Sequence, residues 1–145
     1  MIWIKCRWKN KAVTLLFDTS ALSALLDRSE EIILAVTAQP YDRLVVPLAV
    51  DAELRFGFAN GTRQSHNLTV YERSKREFGF EILAPSQDTA ILYAELTAWM
   101  RKKGIALSQN DIWIAATCVQ VAGKLLTLDK DFARLPQIGL VSLAS

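Results

Sequence analysis

Short apolar runs recur along this chain, separated by stretches that include segments of helical length. Residues 13–17 (VTLLF), 44–46 (LVV), 80–83 (FEIL), 124–128 (KLLTL) and 139–143 (GLVSL) have the length and composition of buried strands. Between them lie segments with helical signals. ALSALLDR carries Ala21, Leu22, Leu25 and Leu26 on one face, and residues 30–39 (EEIILAVTAQ) place acids in a first turn. Pro47 suits the first position of a helix that stops near Asn60-Gly61. Residues 62–78 form a polar, basic helix. Residues 86–103 carry Ile91, Ala94, Glu95, Ala98 and Trp99 at helical spacing before Gly104, and an apolar helix spans residues 111–122 up to Gly123. Strands alternating with helices predict an α/β fold, a three-layer α/β/α arrangement around a mostly parallel sheet of four to five strands. Such sheets take their ligands at the carboxyl ends of their strands.

The 145 residues suffice for one domain with a proper core, and 51% hydrophobic with 22% charged residues excludes disorder. No apolar run would span a bilayer, and the start MIWIKCRWKNKAV has neither a long apolar stretch nor a small-residue cleavage site. A cytoplasmic protein with no membrane partner is expected. Cys6 and Cys118 are too few for a disulfide framework, and with His66 as the single histidine there is no zinc-ligand spacing. The net charge of +2 neither demands nor excludes nucleic acid.

The acids carry more information. Asp18 directly follows the first strand, and Asp129 follows KLLTL with Asp131 two residues on. Asp111 opens the apolar helix in SQNDIWIAATCV, and Glu53 lies in AVDAELRF after the second strand. Each has an ordinary reading as a turn former, a helix cap or a solvated side chain, and Ser108 with Asp111 has capping-box-like spacing. Together they make an oxygen-only donor set of the kind that hard divalent cations prefer, suited to metal-assisted attack of water on a phosphodiester. An aspartyl phosphatase would want a second acid two residues after Asp18, where Ser20 stands. A receiver-like domain would want a phosphoacceptor after the third strand, and FEILAPS has none.

FDTSAL, AEL, NDIWIAATC and TLDKDF, in this order over most of the chain, resemble the successive motifs of PIN-domain proteins, and most of all the VapC-type toxins of toxin–antitoxin pairs. The resemblance implies a metal-dependent endoribonuclease cutting tRNA or ribosomal RNA, dependent on Mg2+ or Mn2+, dimeric and held inactive by a cognate antitoxin. It makes Asp18, Glu53, Asp111 and Asp129 the acidic site, with Asp18, Asp111 and Asp129 as metal ligands. Ser20 and Thr127 support Asp18 and Asp129, Asn110 shapes the turn, and Asp131 stands in reserve. It also suggests an antitoxin arginine or lysine inserted among the carboxylates. A PIN module that binds RNA or protein without cutting is the alternative, and its sign would be lost acids. Residues 1–12 depart from the family, which begins just before the first strand, and form a basic extension to a domain covering 1–145. Arg55, Arg73 and Arg76 are candidates for the RNA backbone, among other basic residues on solvated helix faces. Trp99, Trp113, Phe56 and Phe58 are assigned to the core or to a groove for a partner.

Overall fold

The strand at residues 14–17 is buried at every position, which only a central strand covered on both faces allows. In the computed structural model, which describes residues 13–143, β1 (Thr14–Phe17) lies between β2 (Arg43–Pro47) and β4 (Lys124–Leu126), with β3 (Phe80–Leu83) and β5 (Gly139–Leu140) outermost. The order is β3-β2-β1-β4-β5 and every pairing is parallel. Six α-helices pack around the sheet: α1 (Thr19–Leu26), α2 (Glu30–Thr37), α3 (Leu48–Ala59), α4 (Gln64–Phe78), α5 (Gln87–Lys103) and α6 (Gln109–Gln120). A 3-10 turn, Lys130–Arg134, follows β4. The expected three-layer α/β/α arrangement with a five-stranded sheet is therefore observed. Among the described residues no helix is long and apolar enough to cross a membrane. The basic extension, residues 1–12, lies outside the described residues.

This order locates a crevice. From β1 the chain moves outward through β2 to β3, then returns past β1 to β4 and β5. Strand order reverses between β1 and β4, and ligands of open α/β sheets bind at the carboxyl ends of such a pair. Phe17 is in register with Leu126, so Asp18 and Thr127 leave the sheet side by side, and the Asp18 amide donates to the Leu126 carbonyl at 3.2 Å.

Local chemistry explains most element ends. Gly104, at φ 69°, closes α5 in the left-handed conformation that costs other residues strain. Gly123 is needed for space: a Cβ there would lie 2.9 Å from the Thr14 carbonyl oxygen and collide with the Leu16 side chain. Pro47 closes β2 and caps α3 from outside, one position earlier than expected. Its fixed φ serves the end of an extended segment equally well. The apolar helix begins at Gln109, because Ser108 provides its cap.

The face of α5 differs from the expected one. Thr89, Leu96 and Met100 are buried, with Leu92, Tyr93 and Trp99 half-buried, whereas Ile91, Ala94, Glu95 and Ala98 are exposed. Both sets have helical spacing. The larger side chains fill the contact with α6 better, as Tyr93 against Trp113 shows at 4.5 Å between ring centroids. Phe58 packs on buried Tyr71, while Phe56 is 70% exposed.

Candidate active site

Asp18 ends the most buried strand and is itself only 3% exposed. It caps α1, its Oδ1 accepting from the Ala21 amide at 2.9 Å. The Ser20 hydroxyl donates to both carboxylate oxygens, at 2.8 and 3.0 Å, and the Thr127 hydroxyl donates to Oδ2. These hydroxyls are held in turn, because the Leu128 amide donates to Ser20 Oγ and the Asp129 amide to Thr127 Oγ1. The segment after β4 is thereby tied to the carboxylate that ends β1. Thr127 was expected to support the Asp129 carboxylate; its hydroxyl instead donates to Asp18 and accepts from the Asp129 amide.

Glu53 approaches from α3, half-buried. It accepts from the Thr19 hydroxyl and from the Asn110 amide nitrogen, the latter at 2.7 Å. Asn110 was expected to shape the turn before α6. It lies inside the first helical turn, where its side chain is free to reach across to α3. Thr19 was missed altogether. Its only sequence signal was its place between Asp18 and Ser20, and its partner lies 34 residues away.

Asp111 lies in the first turn of α6. The Asp111 amide donates to Ser108 Oγ at 3.2 Å, so Ser108 is the cap and half of the capping box is formed. Burial raises the Asp111 pKa, with the charges of Asp129, Glu53 and Asp18 adding to it and the Ser108 hydroxyl opposing. Burial likewise raises Asp18, against hydrogen bonds from Thr127, Ala21 and Ser20, and Asp129 pushes it further up. Asp129 caps the 3-10 turn, accepting from the Asp131 amide at 2.9 Å. Asp131 is exposed and pairs with Arg134 at 3.2 Å.

The four acids thus interact through their charges, and among the described residues no arginine, lysine or histidine pairs with any of them. The ion pairs found there engage Glu77, Glu81, Asp51, Glu72 and Asp131 instead. Mutual repulsion in a half-buried cluster without a compensating cation is relieved by a bound one. The donors are all oxygens, which fits a hard divalent ion. No three His, Cys, Asp or Glu side chains among the described residues close into a ready cage.

The basic candidates are placed less uniformly. Arg55 turns back on its own helix, its Nε donating to both Asp51 oxygens at 3.0 Å, and it lies 3.6 Å from Glu72. Arg73 and Arg76 are exposed on α4. Trp113 and Trp99 are half-buried and line separate apolar hollows on either side of α6.

The profile of the PIN domain family matches residues 15–138 of this chain. The chain is 30% identical over 128 residues to Ribonuclease VapC4 of Mycobacterium tuberculosis, covering 83% of this chain and 96% of that protein. It is 25% identical over 126 residues to Ribonuclease VapC1 of Haemophilus influenzae strain R2866, with 85% and 92% covered. Among solved structures, VapBC2 from Rickettsia felis bound to a DNA fragment from its promoter superposes with a TM-score of 0.79 at 20% identity, covering 91% of this chain and 100% of that one. That is a likeness of fold. VapBC-5 from Mycobacterium tuberculosis, of the VapBC family of toxin–antitoxin systems, gives 0.69 at 27% identity over 89% and 98% of the two chains.

Proposed function

The chain belongs to the PIN-domain family, and from that premise we propose that it is a metal-dependent endoribonuclease, the toxin of a toxin–antitoxin pair, hydrolysing phosphodiester bonds in RNA. The observation that carries this reading is the carboxylate cluster at the β1/β4 switch point. Two of its acids, Asp18 and Asp111, are pushed toward protonation by burial and by neighbouring acids, with no cationic side chain among the described residues to balance them. Relatives spanning nearly their whole length alongside this chain are named ribonucleases, which supports the same reaction.

In this reading Asp18, Asp111 and Asp129 would hold the metal. Magnesium is the expected ion and manganese its substitute, since both take oxygen donors. A divalent cation, once bound, supplies a Lewis acid that lowers the pKa of water and stabilises charge on the phosphate and leaving oxygen. Ser20 and Thr127 keep the Asp18 carboxylate from rotating. Glu53, braced by Thr19 and Asn110, is placed to orient attacking water and accept its proton. Structured RNA is the substrate class, tRNA first and ribosomal RNA second. The cognate antitoxin silences the site by presenting a guanidinium or ammonium to the carboxylates, matching the charge they lack. The active form is a homodimer.

Purified protein is expected to cut RNA with magnesium and to stop in excess EDTA. Asp111→Asn is expected to lose more than about 100-fold in rate while remaining folded, because Ser108 keeps the cap and Asn preserves the shape. Cleavage that persists in EDTA, or a variant cutting at the wild-type rate, overturns the reading. Sequencing RNA 5′ ends after induced expression identifies the target.

A further inference from the structure

A second polar feature lies along the flank of the carboxylate site. A cavity of about 280 Å³ opens between the end of α1, the end of α3 and the start of α4, lined among others by Ser23, Asp27, Phe58, Arg63, His66 and Asn67. We propose that this cavity takes one unstacked guanine base of the RNA strand, a few nucleotides from the bond that is cut. The proposal rests on the ribonuclease reading for its ligand class.

Single-stranded RNA is read by splaying a base onto a flat side chain and hydrogen-bonding its edge. Phe58, the Arg63 guanidinium and the His66 imidazole offer such flat faces here. The edge readers are Asp27, Asn67 and Ser23. An ionised carboxylate has two acceptor oxygens side by side and no donor. Guanine alone among the four bases presents two adjacent donors, its N1–H and N2–H, on its Watson–Crick edge. Adenine and cytosine would set a ring-nitrogen lone pair against one carboxylate oxygen, and uracil a carbonyl. Asn67 and Ser23 can donate to the guanine O6 and N7 acceptors.

These groups are uncommitted. Among the described residues, nearby Arg28 pairs with Glu77 and Arg55 with Asp51, while no ion pair engages Asp27, Arg63 or His66. The placement fits as well. Thr19, which braces Glu53, lies one helical turn before Ser23 and two before Asp27, a path of about 12 Å along α1. On α3, Gly57 follows Glu53 by one turn, and a side chain there would meet nothing within 4 Å.

Fluorescence anisotropy of a short single-stranded RNA with one guanine, measured against the same strand with inosine, tests this. Inosine lacks the 2-amino group, and excess EDTA keeps the strand intact. Wild-type protein is expected to favour the guanine strand about tenfold, the range of a bidentate base contact. Asp27→Asn, a substitution of an exposed side chain, is expected to bring the ratio to about one without weakening binding of the inosine strand. Asn67→Ala is expected to weaken binding of the guanine and inosine strands alike, because both bases keep O6 and N7. A ratio near one in the wild type, one that survives Asp27→Asn, or an Asn67→Ala variant that binds both strands as tightly as the wild type overturns the proposal. Because binding is read without metal, a guanine preference in a protein that cuts no RNA would sink the nuclease reading and leave the cavity assignment standing.

Discussion

Asp18 and Asp51 are both buried carboxylates at the start of helical segments, 3% and 8% exposed, and they differ in what faces them. Asp51 accepts from the Tyr71 hydroxyl at 2.7 Å and from Arg55 Nε through both oxygens, and the Arg55 guanidinium lies 5.5 Å from the centre of the Tyr71 ring. Its charge is matched on the spot, and the network fastens α4 to α3. Burial, and then the bond to Asp51, raises the Tyr71 phenol. Asp18 is equally well hydrogen-bonded but only by neutral donors, and its nearest charges are other acids. A buried acid with its own cation is a fastening. One that hydrogen bonds hold in place without a cation is poised for a ligand.

The strongest way to break this comparison is to remove each acid and measure both stability and cleavage. Asp51→Ala strands the Tyr71 hydroxyl and the Arg55 charge and is expected to cost about 2–3 kcal/mol in urea unfolding. Cleavage per folded molecule should remain near wild type. Asp18→Asn should do the reverse, keeping the α1 cap and the fold while losing more than about 100-fold in rate. If Asp51→Ala is inactive but stable, the division between the two acids fails.

Titration sharpens the same contrast. The raised pKa values of Asp18 and Asp111 mean that the folded, metal-free protein binds protons more readily than the unfolded chain. Their contribution therefore favours folding most below the unfolded value near 3.8, and fades as pH climbs through the raised folded values. Urea unfolding between pH 4 and 7 in EDTA should show this decline, and the Asp18→Asn, Asp111→Asn double variant should lack it. At pH 7, magnesium at a hundredfold excess over its Kd should restore about 2.7 kcal/mol to the wild type. A double variant that gains equally from magnesium would place the ion elsewhere.

The smallest expected effect belongs to Thr19→Val, which removes the hydroxyl that braces Glu53. We expect about a tenfold fall in kcat with KM and stability little changed, restored by Thr19→Ser. A loss that Thr19→Ser fails to recover would mean that the residue acts through packing and not through its hydroxyl.

Much of this was legible because it is local. The apolar runs announced their strands, and the turns after β1 and β4 placed Asp18 and Asp129 at one edge of the sheet. Ser108 and Asp111 had cap spacing, and the cap is there. Less legible were choices between equivalent local patterns. Two stripes of α5 share helical spacing, and packing against α6 selected the one with Leu96 and Met100. Nothing in FDTSAL marked Thr19 as the partner of an acid 34 residues away.

VDAEL states the division most plainly. Helical geometry sets Asp51 and Glu53, two residues apart, on opposite sides of α3, and that follows from the sequence alone. So does the alternation of strands and helices, because side-chain period and capping act within a few residues. Arg55 meets Asp51 through the four-residue spacing of the same helix. Tertiary packing put Tyr71 over Asp51 and turned Glu53 toward Thr19 and Asn110. The strand order did the rest, laying β4 beside β1 so that Thr127 reaches Asp18 across 109 residues of chain. Contacts that distant depend on how every intervening element packs, so no local pattern encodes them.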